Sequence, residues 1–475
     1  MRKSGVLMHI TSLPGEYSIG SLGEPARQFI DKLAEAGFSL WQVLPLSMTD
    51  EVGSPYKSAA SFGANPYLID LPKLYEEGLL TAQELRSAAQ DGGGRVEFSR
   101  IFRDRLELLR LAASRVVDRS EIIAYVDARP ELSRAAYFLA LKDVNGGKEW
   151  QRWDNFDCPI DELFFRQFIE YKFYTQWQEL HDYARARGIS IIGDMPIYVA
   201  ADSADVWGEP SQFMLDPDGY PTSVAGVPPD YFSEEGQLWG NPLYNWAEMK
   251  RDGYAWWRRR LEHALTMYDG VRIDHFRAIE AYFAVPKSAA SAKEGGWKKG
   301  PGRAFIRMIR EVAKDCTIIA EDLGDITDEV RRLVDYSGFP GMRVLQFGFL
   351  GDNDSIHLAH NIPPHCVAYT GTHDNNTIVG FAEELDEGRR VRFLDYIGAK
   401  SAEPRDVADA AIRTLMASRA EWVIFPVQDL LAEGGEARMN IPGSPEGNWG
   451  YRMSLDALRA FPTARLRYLN ELYGR

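Results

Sequence analysis

Cysteine is nearly absent: the three in 475 residues, Cys158, Cys316 and Cys366, lie far apart and without CxxC spacing. That argues against a disulfide framework and leaves a zinc knuckle without ligands. Long apolar runs are missing too. The run GVLMHI near the N-terminus is too short for the core of a secretion signal, and none approaches the length of a membrane span. A cytoplasmic protein without a membrane partner is expected. No tract is rich in Lys or Arg, and acids outnumber bases 69 to 54, for a formal charge of −15. Binding a phosphate backbone requires clustered cations, so no nucleic-acid partner is expected, and neutral or cationic ligands fit better. There is no internal repeat, and no low-complexity segment beyond GGG at 92–94.

What is present is 45% apolar residues, enough for a large core, in a length that suits two to three domains or one domain with insertions. Eight short apolar runs end in polar residues: 5–10, 40–46, 190–199, 270–276, 317–323, 342–349, 366–374 and 422–431. Most gaps between them carry helical spacing, as in EPARQFIDKLAEAG, AWWRRRLEHALTMY and AFIRMIREVAKD. Eight strands alternating with helices predict an α/β fold, a parallel (β/α)8 TIM barrel spanning residues 1–475. Two gaps exceed a simple crossover and imply subdomains inserted between strands. Residues 47–189 read as mostly helical, with amphipathic segments around 81–90, 99–117 and 131–143. Residues 200–269 read as an ordered loop subdomain rich in Pro, Gly and aromatics.

Barrel active sites are built at the C-terminal ends of strands. There the third run presents Asp194, the fourth Arg272, Asp274 and His275, the fifth Glu321 and Asp322, and the seventh His373 and Asp374. Paired carboxylates are what retaining glycosidic chemistry requires. One attacks the anomeric carbon while the other, about 5 to 5.5 Å away, protonates the leaving oxygen and then deprotonates the acceptor. Arg272 lies two residues before Asp274, on the same face, and suits the stabilisation of an ionised nucleophile. Glu321 follows the apolar stretch TIIA, where a carboxylate is expensive to bury for structure alone. Asp322 fits a helix cap or loop acceptor, and His275 fits either a core histidine or a site residue. Among the loop aromatics, Tyr56, Tyr231, Phe232, Trp239 and Trp449 suit stacking on pyranose rings, whereas Tyr244 and Trp246 read individually as packing.

VRIDHFR at 271–277, IAEDLG at 319–324 and YTGTHDNNT at 369–377 resemble the α-amylase clan. SPYKSAASFGANPYLI at 54–69, GDMPIYVAADSADVW at 193–207 and GVPPDYFSEEGQLWGNPLYNW at 226–246 are similar to glycoside hydrolase family 77, the 4-α-glucanotransferases or amylomaltases. The resemblance covers nearly the whole chain, with its motifs in the same order. It implies a barrel with inserted subdomains, no separate C-terminal β-domain, and transfer of α-1,4-glucan segments to glucose or another glucan. It also implies Asp274 as nucleophile, Glu321 as general acid/base and Asp374 as the residue orienting the distorted sugar. Arg272, His373, Asp194 and Tyr56 would line the subsite of the attacked glucose. Asp230, Tyr231, Phe232, Gln237 and Trp239 would cover the cleft, with Asn448 and Trp449 as further contacts. The segment SLPGEYSIGSLG departs from the pattern, with Gly15 and Ser21 where a serine and an aspartate are expected.

Malto-oligosaccharides, amylose and glucose are the partners this implies, with no cofactor, no metal and no protein partner. Three other readings share some of these residues: an α-glucan hydrolase, a metal-dependent barrel hydrolase and a catalytically silent glucan-binding protein. The metal reading is weakened by a solitary His9 in the first run, where an HxH pair would be wanted.

Overall fold

The computed structural model describes residues 2–50, 52–89, 94–229, 234–351, 354–444 and 446–475. Each of the eight apolar runs contains or overlaps one barrel strand, and most continue beyond it. Among the described residues the strands are β1 (Lys3–Leu7), β2 (Leu40–Gln42), β3 (Ser190–Met195), β4 (Ser223–Val227), β5 (Gln237–Pro242), β6 (Gly270–Ile273), β7 (Ala281–Pro286), β8 (Gly296–Lys299), β9 (Thr317–Ala320), β10 (Gly341–Val344), β11 (Cys366–Tyr369) and β12 (Trp422–Pro426). Eight of them close a barrel in the order β1-β12-β11-β10-β9-β6-β3-β2, and every neighbouring pair is parallel. Such strands are covered on both faces, which is why they read as continuous apolar runs rather than as alternation. The runs outlast the strands because the chain stays buried as it turns into the loops above the barrel mouth.

The helices foreseen from periodicity form at Glu24–Glu35, Ala82–Ala88, Phe98–Ser114, Pro130–Val144, Ala255–Met267 and Arg303–Ala313. The longest helix, Ile160–Ala186, has no such sequence signal. Seven successive residues from Phe164 to Glu170 are buried, including Arg166, Gln167 and Glu170. A helix enclosed on all sides carries no single apolar stripe.

The larger difference from expectation lies above the barrel. A four-stranded antiparallel sheet in the order β5-β4-β7-β8 draws β4 and β5 from the segment read as loop. It takes β7 and β8 from the connection between β6 and β9, where only a crossover was expected. The strands SVAGV, QLWGNP and GWKK are short and broken by Gly, Pro or Lys, which weakens their pattern. Gly226 is required where β4 meets β5, since a Cβ there would lie 2.3 Å from the Gln237 carbonyl. The hairpin connection between these two strands carries Asp230, Tyr231 and Phe232, which lie outside the described residues.

Candidate active site

Asp194 on β3 stands opposite Arg272 on β6 in the barrel register. Arg272 Nη1 donates to both carboxyl oxygens of Asp194 at 2.7 Å, and its Nη2 lies 2.9 Å from Asp274 Oδ1. One guanidinium therefore joins carboxylates presented by two strands. Its side chain is only 4% exposed and that of Asp194 is fully covered, so neither charge is tolerable without the other. Gly193 assists locally: the ring of Tyr268 occupies the place a Cβ would take, packing the backbone beside Asp194.

Register also sets the second carboxylate. Ile273 on β6 pairs with Ala320 on β9, so the next residues along, Asp274 and Glu321, emerge side by side from strands about 4.8 Å apart. The Glu321 carboxyl accepts from the His275 amide at 2.7 Å and the Leu323 amide at 2.9 Å. His275 reaches this position with φ of 45°, a left-handed conformation that a non-glycine residue adopts only when its surroundings hold it there. Burial, opposed by Arg272 and reinforced by Asp274, pushes Glu321 up to about 8. Asp274 rises only to about 6, through burial and the nearby Asp194 and Asp374, with Arg272 opposing. The two environments act in the same direction but to different extents: Glu321 is kept as an acid, while Asp274, in direct contact with a guanidinium, ionises first. Burial lowers His275 to about 3, aided by Arg277, so its imidazole is neutral.

The third side is built from loops. Tyr56 donates its hydroxyl proton to Asp194 Oδ2 at 2.7 Å, and burial with that carboxylate keeps the phenol protonated. Its oxygen is then free to accept from His373 Nε2 at 2.9 Å. His373 lies 3.4 Å from Asp374 Oδ2 and stacks against Tyr56 with ring centroids 5.4 Å apart. The turn that presents them is self-braced: Asn375 Oδ1 accepts from the Thr372 amide and hydroxyl, each at 2.9 Å, and Thr377 caps the following helix. Asp374 itself is open to the cleft, its side chain 43% exposed. Asn440 and Arg438, absent from the sequence reading, fix it: Asn440 Nδ2 donates to Asp374 Oδ1 at 2.6 Å and Arg438 to the Asp374 carbonyl at 2.8 Å. They come from a loop with no strand or helix signal, so no spacing argument reaches them.

The remaining candidates divide. Trp239 stands edge-on to His275 at 4.9 Å, its indole bonded to Gln237 Oε1, so these two reach the turn after β6 from β5. Trp449 is buried, with its ring 5.8 Å from Tyr56 and 5.9 Å from His373. Asn448 is spent on its own loop, accepting from the Ile441 amide at 2.8 Å and donating to the Ser444 carbonyl at 2.9 Å. Asp322 is the loop acceptor foreseen, holding the Met342 amide at 2.6 Å and Arg343 at 3.0 Å. Tyr244 is buried among Phe213, Trp256 and Trp257, as packing requires. Ser21 donates to Asp70 Oδ1 at 2.7 Å; an aspartate there would face a second carboxylate. Among the described residues no group of three or more His, Cys, Asp or Glu side chains could hold a metal ion, and no helix is long and apolar enough to cross a membrane.

A parallel barrel with an acid and a guanidinium-bound carboxylate side by side at its mouth defines a retaining glycosidase-type enzyme. Comparison narrows the class. The sequence pattern of the 4-alpha-glucanotransferase family, glycoside hydrolase family 77, matches residues 8–457. The 4-alpha-glucanotransferase of Thermus thermophilus is 43% identical, covering 100% of this chain and 99% of that one. That of Synechocystis sp. is 41% identical over 100% and 98%. An amylomaltase from Streptococcus agalactiae, solved in complex with acarbose, superposes with a TM-score of 0.96 at 36% identity over the whole of both chains. The chain belongs to glycoside hydrolase family 77.

Proposed function

We propose that this enzyme is a 4-α-glucanotransferase that moves α-1,4-glucan segments by double displacement. In the first step an Asp274 oxygen attacks the anomeric carbon, the bond to the glycosidic oxygen breaks, and that oxygen leaves with the proton of Glu321. In the second, a glucan 4-hydroxyl gives its proton to Glu321 and bonds to the same carbon, releasing the Asp274 carboxylate. Two inversions retain the α configuration. The observation that carries this reading is the asymmetry of the pair: Asp274 touches Arg272 at 2.9 Å, while burial holds Glu321 as an acid.

Tyr56, Asp194, Arg272 and His373 line the subsite of the attacked glucose, and Asp374, braced by Asn440, orients that sugar through its hydroxyls. Trp239 and Gln237 belong to the cover of the cleft. A covered site favours a sugar acceptor over water. Trp449 packs against Tyr56 and His373 and seats them, and Asn448 braces the loop that carries it. Malto-oligosaccharides and amylose serve as donors and glucose or shorter glucans as acceptors, a reading supported by the acarbose bound to the Streptococcus relative. Carboxylates supply both nucleophile and proton, so no cofactor enters. The three free cysteines support a cytoplasmic location.

Incubation with maltotriose alone tests the proposal. Longer oligomers and glucose with almost no net gain in reducing ends are expected, and Asp274→Asn should abolish both. Reducing ends that rise with every cleavage would replace transfer by hydrolysis.

A further inference from the structure

Arg277 is buried three residues beyond Asp274, and no step above uses it. Its Nη1 donates to the Asp325 carbonyl at 2.7 Å and reaches the Asp325 carboxylate at 3.3 Å. The indole of Trp297, on the edge strand β8 and 40% exposed, lies over the guanidinium at 3.7 Å. Arg277 Nε is buried without a hydrogen-bond partner, an unsatisfied donor tolerated where cation–π contact offsets part of its cost. The contact joins two particular segments. The turn after β6 holds Asp274 and the His275 amide that grips Glu321; the loop after β9 holds Glu321 and the Leu323 amide that grips its other oxygen. Besides those grips on Glu321 and the backbone bonds from Phe276 to the Glu321 carbonyl and from Glu321 to the Ile273 carbonyl, the hydrogen bond that ties the far end of the loop to the turn, among the described residues, is that from Arg277 to Asp325.

We propose that Arg277, covered by Trp297, is a positioning residue that fixes the acid/base loop against the nucleophile's turn and so sets where Glu321 delivers its proton. The inference rests on the reading of Asp274 and Glu321 as nucleophile and acid/base. Without the tie the 321–325 loop can lift from the turn, the amides of His275 and Leu323 diverge, and water enters beside Glu321. The charged groups facing that carboxyl are Arg272 and Asp274 from β6 and Asp322 from its own loop, with neutral His275 on the turn. All of these remain in an Arg277 variant, so a change in Glu321 would report its hydration and placement.

The test compares wild type with Arg277→Leu, Arg277→Lys and Trp297→Leu, each first checked by thermal melting, on two donors. Maltotriose needs protonation of its leaving oxygen; a maltosyl fluoride, whose leaving group departs without a proton, does not. Arg277→Leu is expected to lower kcat on maltotriose about tenfold or more with KM within about twofold. It should also move the alkaline limb of kcat/KM to lower pH, and lose far less in the first-turnover release of fluoride. Arg277→Lys should recover part of the loss, and Trp297→Leu should show the same pattern more weakly, which serves if Arg277→Leu does not fold. Equal losses in the first half-reaction on both donors, or an unmoved alkaline limb in every variant that folds, would overturn the positioning role. The underlying assignment has its own control: in Glu321→Gln the alkaline limb should vanish, and the first-turnover release of fluoride should be spared while onward transfer, which needs Glu321 as base, is lost. A limb that persists there refutes the acid/base role of Glu321 itself.

Discussion

Arg272 touches two carboxylates, the wholly covered Asp194 and the part-exposed Asp274, to which the proposed mechanism gives the covalent step. Its replacement by leucine leaves both acids facing each other in a buried place. Arg272→Leu should therefore lower stability by about 3 kcal/mol or more and reduce transfer by at least a hundredfold, measured by chemical denaturation and by the maltotriose assay. Burial separates the protonation ranges of the pair, so kcat/KM should be bell-shaped, falling below a pH of about 6 as Asp274 takes up a proton and above about 8 as Glu321 loses one. A flat profile across that range would contradict the assignment. At this scale the placing of Asp274 and Glu321 at neighbouring strand ends was legible in the sequence, because an acid closing an apolar strand has few structural excuses. Asn440 and Arg438 were not, since a polar residue in a loop announces neither its partner nor its distance. Nor was the left-handed turn at His275, which brings its amide to Glu321.

Elements were legible where their periodicity faced a single environment. All eight barrel strands and the amphipathic helices met that condition; the helix Ile160–Ala186 and the small antiparallel sheet did not. Both carry consequences that can be measured. Within the helix, Glu170 is wholly buried and accepts from the Ala64 amide at 3.0 Å, and burial pushes it up to about 8. Its folded value lies above the ordinary carboxylate range, so its contribution to stability is whole below that range and lost as pH rises toward 8. Glu170→Gln, which keeps the acceptor, should raise Tm at pH 8 by several degrees and change it little near pH 4. In the sheet, any side chain at Gly226 meets the Gln237 carbonyl. Gly226→Val should part β4 from β5, loosen the approach of Trp239 to His275, and raise the ratio of hydrolysis to transfer several-fold, with cleavage retained. An unchanged ratio in a folded variant would separate the hairpin from the exclusion of water.

The whole molecule was legible as a barrel with long excursions, because parallel strands joined by helices admit few closed arrangements. Which excursions pair with each other was hidden: β4 and β5 meet β7 and β8 across the intervening β6, and nothing local records a contact made over such a separation. The barrel itself closes by pairing β1 with β12, residues 3–7 with 422–426. The residues proposed to line the site are almost as far apart along the chain, from Tyr56 to Trp449. Contacts so remote along the chain form late and slowly. Assembly in time therefore has a definite order: secondary structure can accumulate while the early strands meet, but the pocket is complete only after the last strand has docked. During refolding from denaturant, the far-ultraviolet signal should recover ahead of transfer activity, and the interval between them measures the closing of the ring.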